Sequence, residues 1–210
     1  MNVGIIGAGN VGGALGKRWA AAGHKVKFGV RDAAKPDVQE LVRGCGGDVS
    51  AGGVADAARF GDVVVLATPF PAARAALENA GDLTGKVVID CTNPLKPDLS
   101  GLTIGHDTSG AEQVANWAKG APVVKCFNTT GANNMENAAY PGGKPVMFCC
   151  GDDAGANALV MKLGDEIGFE MIDAGKLEIA RLLEPLAMLW IHLAYRGGLG
   201  REFAFKLMRR

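Results

Sequence analysis

Along this chain, short runs of apolar and β-branched residues alternate with stretches in which apolar residues recur every three or four positions. Val3 to Ile6, Lys25 to Val30, Asp62 to Ala67, Lys86 to Cys91, Pro122 to Phe127 and Val146 to Cys150 read as strands, and Phe169 to Ile172 as one more. Between the first two, Val11, Ala14, Leu15, Trp19 and Ala22 share a helical face with Arg18, and Gly23 supplies the stop. Asp152 is placed to cap a helix running through Leu159, Val160, Leu163 and Ile167 and ending at Gly168. Strand, helix, strand in repetition predicts an α/β fold, a doubly wound and mostly parallel sheet covered on both faces.

The last segment has a different pattern. From Lys176 onward Ile179, Leu182, Leu183, Leu186, Leu189, Trp190 and Leu193 keep helical spacing, while Met188, Ile191 and Tyr195 make the part after Pro185 apolar nearly all round. One sheet cannot cover such a helix, so Leu186 to Tyr195 is expected to form a homodimer interface. Proline inside a helix costs ~3 kcal/mol, which predicts a kink near Glu184. Arg196 to Gly200 reads as a flexible turn into a short, exposed basic tail.

Composition narrows the function classes. With 210 residues, 48% of them hydrophobic, the chain can bury a core without disulfides or metals. Lys plus Arg and Asp plus Glu both number 22, so no net field is available to hold nucleic acid. The apolar run Leu186 to Tyr195 is half of the ~20 residues a membrane span needs, and Met1 to Ile6 lacks the charged start of a signal peptide, so a cytoplasmic location is expected. Cys45, Cys91, Cys126, Cys149 and Cys150 contain no C-x-x-C spacing and read as reduced core residues; no metal site is indicated.

Gly7, Ala8, Gly9, Asn10, Val11 and Gly12 form G-x-G-x-x-G between the first strand and the first helix, the context a dinucleotide fingerprint requires. Gly7 serves the tight turn, Gly9 the approach of a pyrophosphate and Gly12 the packing of helix on strand. The N–H groups of Asn10 and Val11 face the phosphates. The fold is therefore read as Rossmann-type, with residues 1–144 as the dinucleotide-binding domain and 145–210 as a small C-terminal part of extra strands and the apolar, kinked helix. At the end of the second strand, where an NAD site carries an acid, this chain has Val30 followed by Arg31. Arg31, assisted by Lys35, suits a ribose 2′-phosphate and hence NADP(H). A shift of one residue would instead make Asp32 the ribose acceptor and favour NAD.

In a doubly wound sheet the ligand crosses the carboxyl ends of the strands. Thr68 and Pro69, then Thr92, Asn93 and Pro94, then Asn128, Thr129 and Thr130 follow those ends and are expected on the nicotinamide and acceptor side. His24 and His192 read as structural, and His106 is the one histidine placed near a mouth. No nucleophile–base constellation is present, so no catalytic residue is assigned. Hydride transfer, in which the protein supplies alignment, fits that inventory.

GIIGAGNVG at the start, GVRD at Gly29 to Asp32, VIDCTNPL at Val88 to Leu95, VVKCFNT at Val123 to Thr129, and CGDD, IDAG and RLLEPLAMLWIHLAY in the last third resemble the F420-dependent NADP reductases and their bacterial NADP-binding relatives. The resemblance implies a dimer and hydride exchange between NADP(H) and a deazaflavin (F420) or flavin-like acceptor. It carries the phosphate loop onto Gly7, Gly9, Asn10, Val11 and Gly12, the 2′-phosphate site onto Arg31, the nicotinamide wall onto Thr68 and Pro69, and the acceptor loop onto Asn128 to Thr130. The chain departs from the family pattern at Val30, where Ser or Thr is usual, and at Asn128, where histidine is usual. Two alternatives stand beside this reading: an NADPH-dependent imine or carbonyl reductase of the pyrroline-carboxylate reductase type, and a non-enzymatic NADP sensor.

Overall fold

In the computed structural model, which describes residues 1–210, strands and helices alternate from the first residues onward. The elements are β1 (Asn2–Ile6), α1 (Asn10–Ala21), β2 (Lys25–Gly29), α2 (Pro36–Cys45), β3 (Val49–Gly52), α3 (Val54–Phe60), β4 (Val63–Leu66), α4 (Phe70–Ala80), β5 (Val87–Asp90), α5 (Gly110–Trp117), β6 (Val123–Lys125), α6 (Ala132–Glu136), β7 (Val146–Gly151), α7 (Ala154–Glu166), β8 (Glu170–Asp173) and α8 (Ala180–Tyr195). One 3₁₀ turn, Leu177–Ile179, leads into α8.

All eight strands join one sheet in the order β3-β2-β1-β4-β5-β6-β7-β8. Neighbours are parallel except β6 and β7, which run antiparallel with Lys125 opposite Cys150. The chain winds outward from β1 in one direction, then returns beside β1 as β4 and winds the other way. Between those two strands lies the switch point, where the helices diverge and leave a crevice outside the carboxyl ends. The sheet continues without a break past residue 144, so the C-terminal strands share the frame of the N-terminal ones. This is the Rossmann-like architecture expected.

Period-two alternation divides the core between the two faces. Val3, Ile5, Val63, Val65 and Ile89 pack on one side with Trp19 of α1 and Val160 and Leu163 of α7. Ile6, Val64, Leu66 and Val88 pack on the other with Ala73 and Leu77 of α4 and Val114 of α5. Both faces of the central strands are buried, which is why these strands read as continuous apolar runs. The helix α1 and its stop agree with the expectation, since Gly23 takes φ +90° directly after it. The five cysteines are free and buried. No helix is long and apolar enough to cross a membrane.

Several local expectations are corrected. The edge strand β3 was not anticipated: it is four residues long, half-buried, and too poor in large apolar side chains to give a period-two signal. Asp153 rather than Asp152 caps α7, accepting from the Ala156 N–H at 2.7 Å, and Asp152 accepts instead from Leu177. The helix α8 runs continuously from Ala180 to Tyr195 with Pro185 inside it. It is held there by tertiary bonds, because Glu184 is fully buried and both carboxylate oxygens accept backbone N–H groups of α5. Nor is α8 buried all round: Ala180, Leu183, Ala187, Trp190 and Ala194 face the chain, while Leu182, Leu189 and Tyr195 are exposed.

The basic residues after Gly200 are exposed as expected, but residues 203–205 between them are docked on the protein. Phe203 stacks on Trp190 at 5.3 Å, its carbonyl accepts from Trp190 Nε1 at 3.0 Å and Asn134 Nδ2 at 2.7 Å, and Phe205 extends the contact through its carbonyl to Val146 N–H. Aromatic burial and three backbone carbonyl bonds outweigh the tail's charge, so it lies back against α8, α6 and β7.

Candidate functional site

The loop between β1 and α1 explains each of its glycines differently. Gly7 takes φ +110°, and a Cβ there would lie 2.5 Å from the Ala67 carbonyl, so neither the backbone nor the neighbouring strand admits a side chain. At Gly12 a Cβ would lie 2.1 Å from the Gly7 carbonyl; only glycine lets α1 approach the strand so closely. Gly9 is the contrast. Its φ of −79° is open to any residue, and a Cβ would meet nothing within 4 Å. Nothing within the chain demands glycine here, while the open face beside it is where a pyrophosphate would lie. Gly9 is also the N-cap of α1 and offers no side-chain acceptor, and the N–H groups of Asn10, Val11 and Gly12 find no partner within the chain. Free N–H groups at the positive end of a helix of 12 residues, beside an open face, fit a phosphate.

At the end of β2, Arg31 is exposed and directed away from the core, and Lys35 is exposed at the N-cap of α2. Asp32 accepts the Ala34 N–H at 2.9 Å, so its carboxylate is engaged in a local turn. After β4, Thr68 contributes a buried hydroxyl with no partner beside the Gly7 turn, and Pro69 is the N-cap of α4.

The cleft itself, about 260 Å³, opens between the α1 N-terminus and the last helix; Asn10, Asn93, Phe127, Asn128, Thr130 and Trp190 are among its lining residues. Asn93 and Asn128 meet across it. Asn128 Nδ2 donates to Asn93 Oδ1 at 3.1 Å and to the Leu183 carbonyl at 3.2 Å, and Asn93 Nδ2 donates to the Asn128 carbonyl at 3.0 Å. Both donors of Asn128 and one of Asn93 are therefore engaged within the protein, while the buried Asn128 Oδ1 has no partner, whereas the sequence alone left both side chains free for a ligand carboxamide. Thr130 remains at the cleft, its hydroxyl accepting from Asn134 Nδ2. Thr129 does not. It is buried with its hydroxyl on the Met147 sulfur at 3.6 Å, because successive residues of an extended loop point to opposite sides.

Three functional neighbours escaped sequence reasoning: Asp90, Lys125 and Glu184. All are fully buried, with Lys125 Nζ 2.8 Å from Asp90 and 3.0 Å from Glu184. Burial works against the Lys125 ammonium, but the two carboxylates outweigh it and raise its pKa above the ordinary lysine value. The signal was a charge closing each of two apolar strands and a glutamate at a core-facing helix position, which periodicity alone assigns to a strand end or a surface. The histidines lie elsewhere. His24 pairs with Glu166 at 2.7 Å near the amino terminus, and His106 and His192 are exposed outside the cleft.

Comparison with known proteins follows the same geometry. The family model described as NADP oxidoreductase, coenzyme F420-dependent, matches residues 2–94. The F420-dependent NADP reductase of Methanothermobacter thermautotrophicus is 31% identical over 210 residues, covering 93% of this chain and 90% of that protein. A crystal structure from Arthrobacter sp. FB24, named as an F420-dependent NADP reductase, superposes with a TM-score of 0.89 at 32% identity over 99% of both chains. A reductive aminase from Aspergillus terreus, solved with NADPH, shares the fold at a TM-score of 0.68 and 19% identity, and this chain spans 62% of it.

Proposed function

This chain belongs to the F420-dependent NADP reductase family, and from that premise we propose that it is an NADP(H)-dependent oxidoreductase exchanging a hydride between NADP(H) and coenzyme F420. The observation that carries the reading is the pairing of an open, uncapped helix N-terminus at Gly9 with a cleft that continues from it to Asn93, Asn128 and Trp190. A dinucleotide laid along that path would bring its nicotinamide to the acceptor side.

When bound, the nicotinamide supplies or accepts the hydride; the remaining tasks fall to this chain. Gly7, Gly9 and Gly12 shape the phosphate cradle, and Asn10 and Val11 donate N–H groups into it. Arg31 and Lys35 hold the 2′-phosphate at the β2 edge. Thr68 and Pro69 wall the nicotinamide, and Asn93, Asn128 and Thr130 bound the acceptor. Alignment of two flat rings within ~3.5 Å is the main catalytic demand, and one proton taken up by the reduced acceptor from solvent completes the balance. On this reading residues 1–144 bind the dinucleotide, and residues 145–210 close the acceptor side through α8 and the strap at Phe203.

The exposed Leu182, Leu189 and Tyr195 of α8 support a homodimer through this helix, and five buried free thiols suit the reducing cytoplasm. The imine-reductase reading is less well supported, since this chain spans only 62% of the reductive aminase. The test is reduction of F420 by NADPH, followed by loss of the oxidised deazaflavin absorbance. Turnover with imines or flavins and none with F420 would overturn the proposal.

A further inference from the structure

Beneath the cleft lies a second polar layer that hydride transfer does not itself use. Lys125 closes β6, Asp90 closes β5 and Glu184 lies in the second turn of α8, and their charged atoms meet with no exposure to solvent. Every group in it is satisfied. Asp90 Oδ1 accepts from the Thr92 N–H at 2.9 Å and hydroxyl at 2.7 Å, Lys125 also donates to the Thr92 carbonyl at 2.6 Å, and Glu184 accepts from the N–H groups of Gly110 at 2.9 Å and Ala111 at 3.0 Å. A buried triad of this kind is seldom an efficient source of stability, because apolar residues of equal volume often hold a fold as well. Its retention calls for a role in position.

The connectivity shows which position. Asp90 lies three residues before Asn93, Lys125 three residues before Asn128, and Glu184 directly after Leu183. Those three chain neighbours are the groups bonded at the cleft, where Asn128 bonds both Asn93 and the Leu183 carbonyl. Each ion is thus joined by a short piece of backbone to one member of the amide cluster. Between Lys125 and Asn128, Phe127 holds φ +56°, a conformation costly for a residue with a bulky side chain, and it lines the cleft. Such a backbone persists only where its surroundings hold it on both sides.

We propose that Asp90, Lys125 and Glu184 are positioning residues that set the Asn93–Asn128–Leu183 cluster, and through it the acceptor side of the cleft, without touching either substrate. The inference rests on the hydride-transfer reading for its kinetic consequence. Loss of one ion should displace the amide cluster while leaving in place the phosphate loop, which follows β1 and is separated from β5 and β6 by β4.

The experiment uses the full-length protein and the variants Glu184→Gln and Lys125→Met, with three readouts. Dissociation of NADPH is measured by fluorescence, kcat and KM by F420 reduction, and the side-chain amide signals of Asn93 and Asn128 by ¹⁵N NMR, assigned with Asn93→Asp and Asn128→Asp. Expected are an unchanged NADPH affinity, a fall in kcat/KM for F420 of about 10- to 100-fold, the scale of a small misplacement of reacting groups, and displaced amide signals for both asparagines. A folded variant with wild-type kcat/KM and unmoved amide signals would overturn the proposal, and so would equal losses in NADPH and F420 binding. If single variants fail to fold, Asp90→Asn/Lys125→Met/Glu184→Gln leaves no unpaired charge; a folded triple variant that binds F420 normally also overturns it. Should the unaltered protein reduce no F420, the hydride-transfer reading fails, and the amide signals still decide the positioning role.

Discussion

Arg31 and Gly9 carry the recognition reading at the level of single residues, and each can be tested without disturbing the fold. Arg31 is exposed at the β2 edge, so Arg31→Ala should leave the melting temperature in place. It should weaken NADPH by about 1.5–3 kcal/mol, the worth of a hydrogen bond to a charged group, and barely affect NADH. Titration of both cofactors checks it, and equal losses would move the assignment to Asp32. Gly9→Ala introduces a methyl that meets nothing within 4 Å in the protein, so it should fold normally and bind NADPH poorly. Gly12→Ala is the control in the other sense: its methyl would lie 2.1 Å from the Gly7 carbonyl, and the melting temperature itself should fall. Thermal melts with and without NADPH separate the two. The three glycines were legible from their spacing between a strand and a helix, although packing demands glycine only at Gly7 and Gly12 and leaves Gly9 open for a ligand. Thr129 was misplaced because the side of the loop to which a residue points depends on where the strand ends, and β6 stops at Lys125.

Among elements, the junction of α5 with α8 fixes the first turns of the helix whose later residues Trp190 and Tyr195 line the cleft. Arg181 of α8 reaches Glu112 of α5 through bonds of 3.0 and 2.6 Å, and that hydrogen-bonded pairing, against some burial, lowers the Glu112 pKa below the usual carboxylate value of 4.5. A carboxylate with a lowered folded pKa contributes stability at all pH above its unfolded value and loses it as pH falls through the folded one. Melting temperature should therefore drop on acidification below about pH 4.5, and Glu112→Gln should flatten that part of the curve while lowering stability at neutral pH. An unchanged acid limb in the variant would show that other carboxylates govern it. The same junction explains the unbroken α8. Pro185 inside a helix costs a few kcal/mol, and the bonds that Glu184 makes to α5 from the inner face offset that cost, so the helix runs on through the proline.

For the whole molecule, the open question is how many copies assemble. The outer face of α8 leaves Leu182 at 66% and Leu189 at 48% exposure, large values for apolar side chains one heptad apart, and Tyr195, at 57%, stands at the cleft edge. Sedimentation at micromolar concentration should give a dimer of the 21.7 kDa chain, and Leu189→Asp, placed on an already exposed site, should yield a folded monomer. A monomer from the unaltered protein would remove this interface. At this scale the division between sequence and structure is clearest. Sequence alone determined the sheet class, seven of the eight strands, the first and the last two helices, the phosphate loop and the candidate residues after each strand, because these follow from periodicities of two and 3.6 and from glycine spacing, which are local. Tertiary structure alone decided that the asparagines bond each other, that the residues from Arg201 to Phe205 strap back over Trp190, and that Asp90, Lys125 and Glu184 meet in the core. Those contacts join residues 35 to 59 positions apart in the first and third cases, as in Asn93 with Asn128 and Lys125 with Glu184. Their partners are brought together only when the sheet is complete, and a buried charge can be read as functional only once its counter-charges are known.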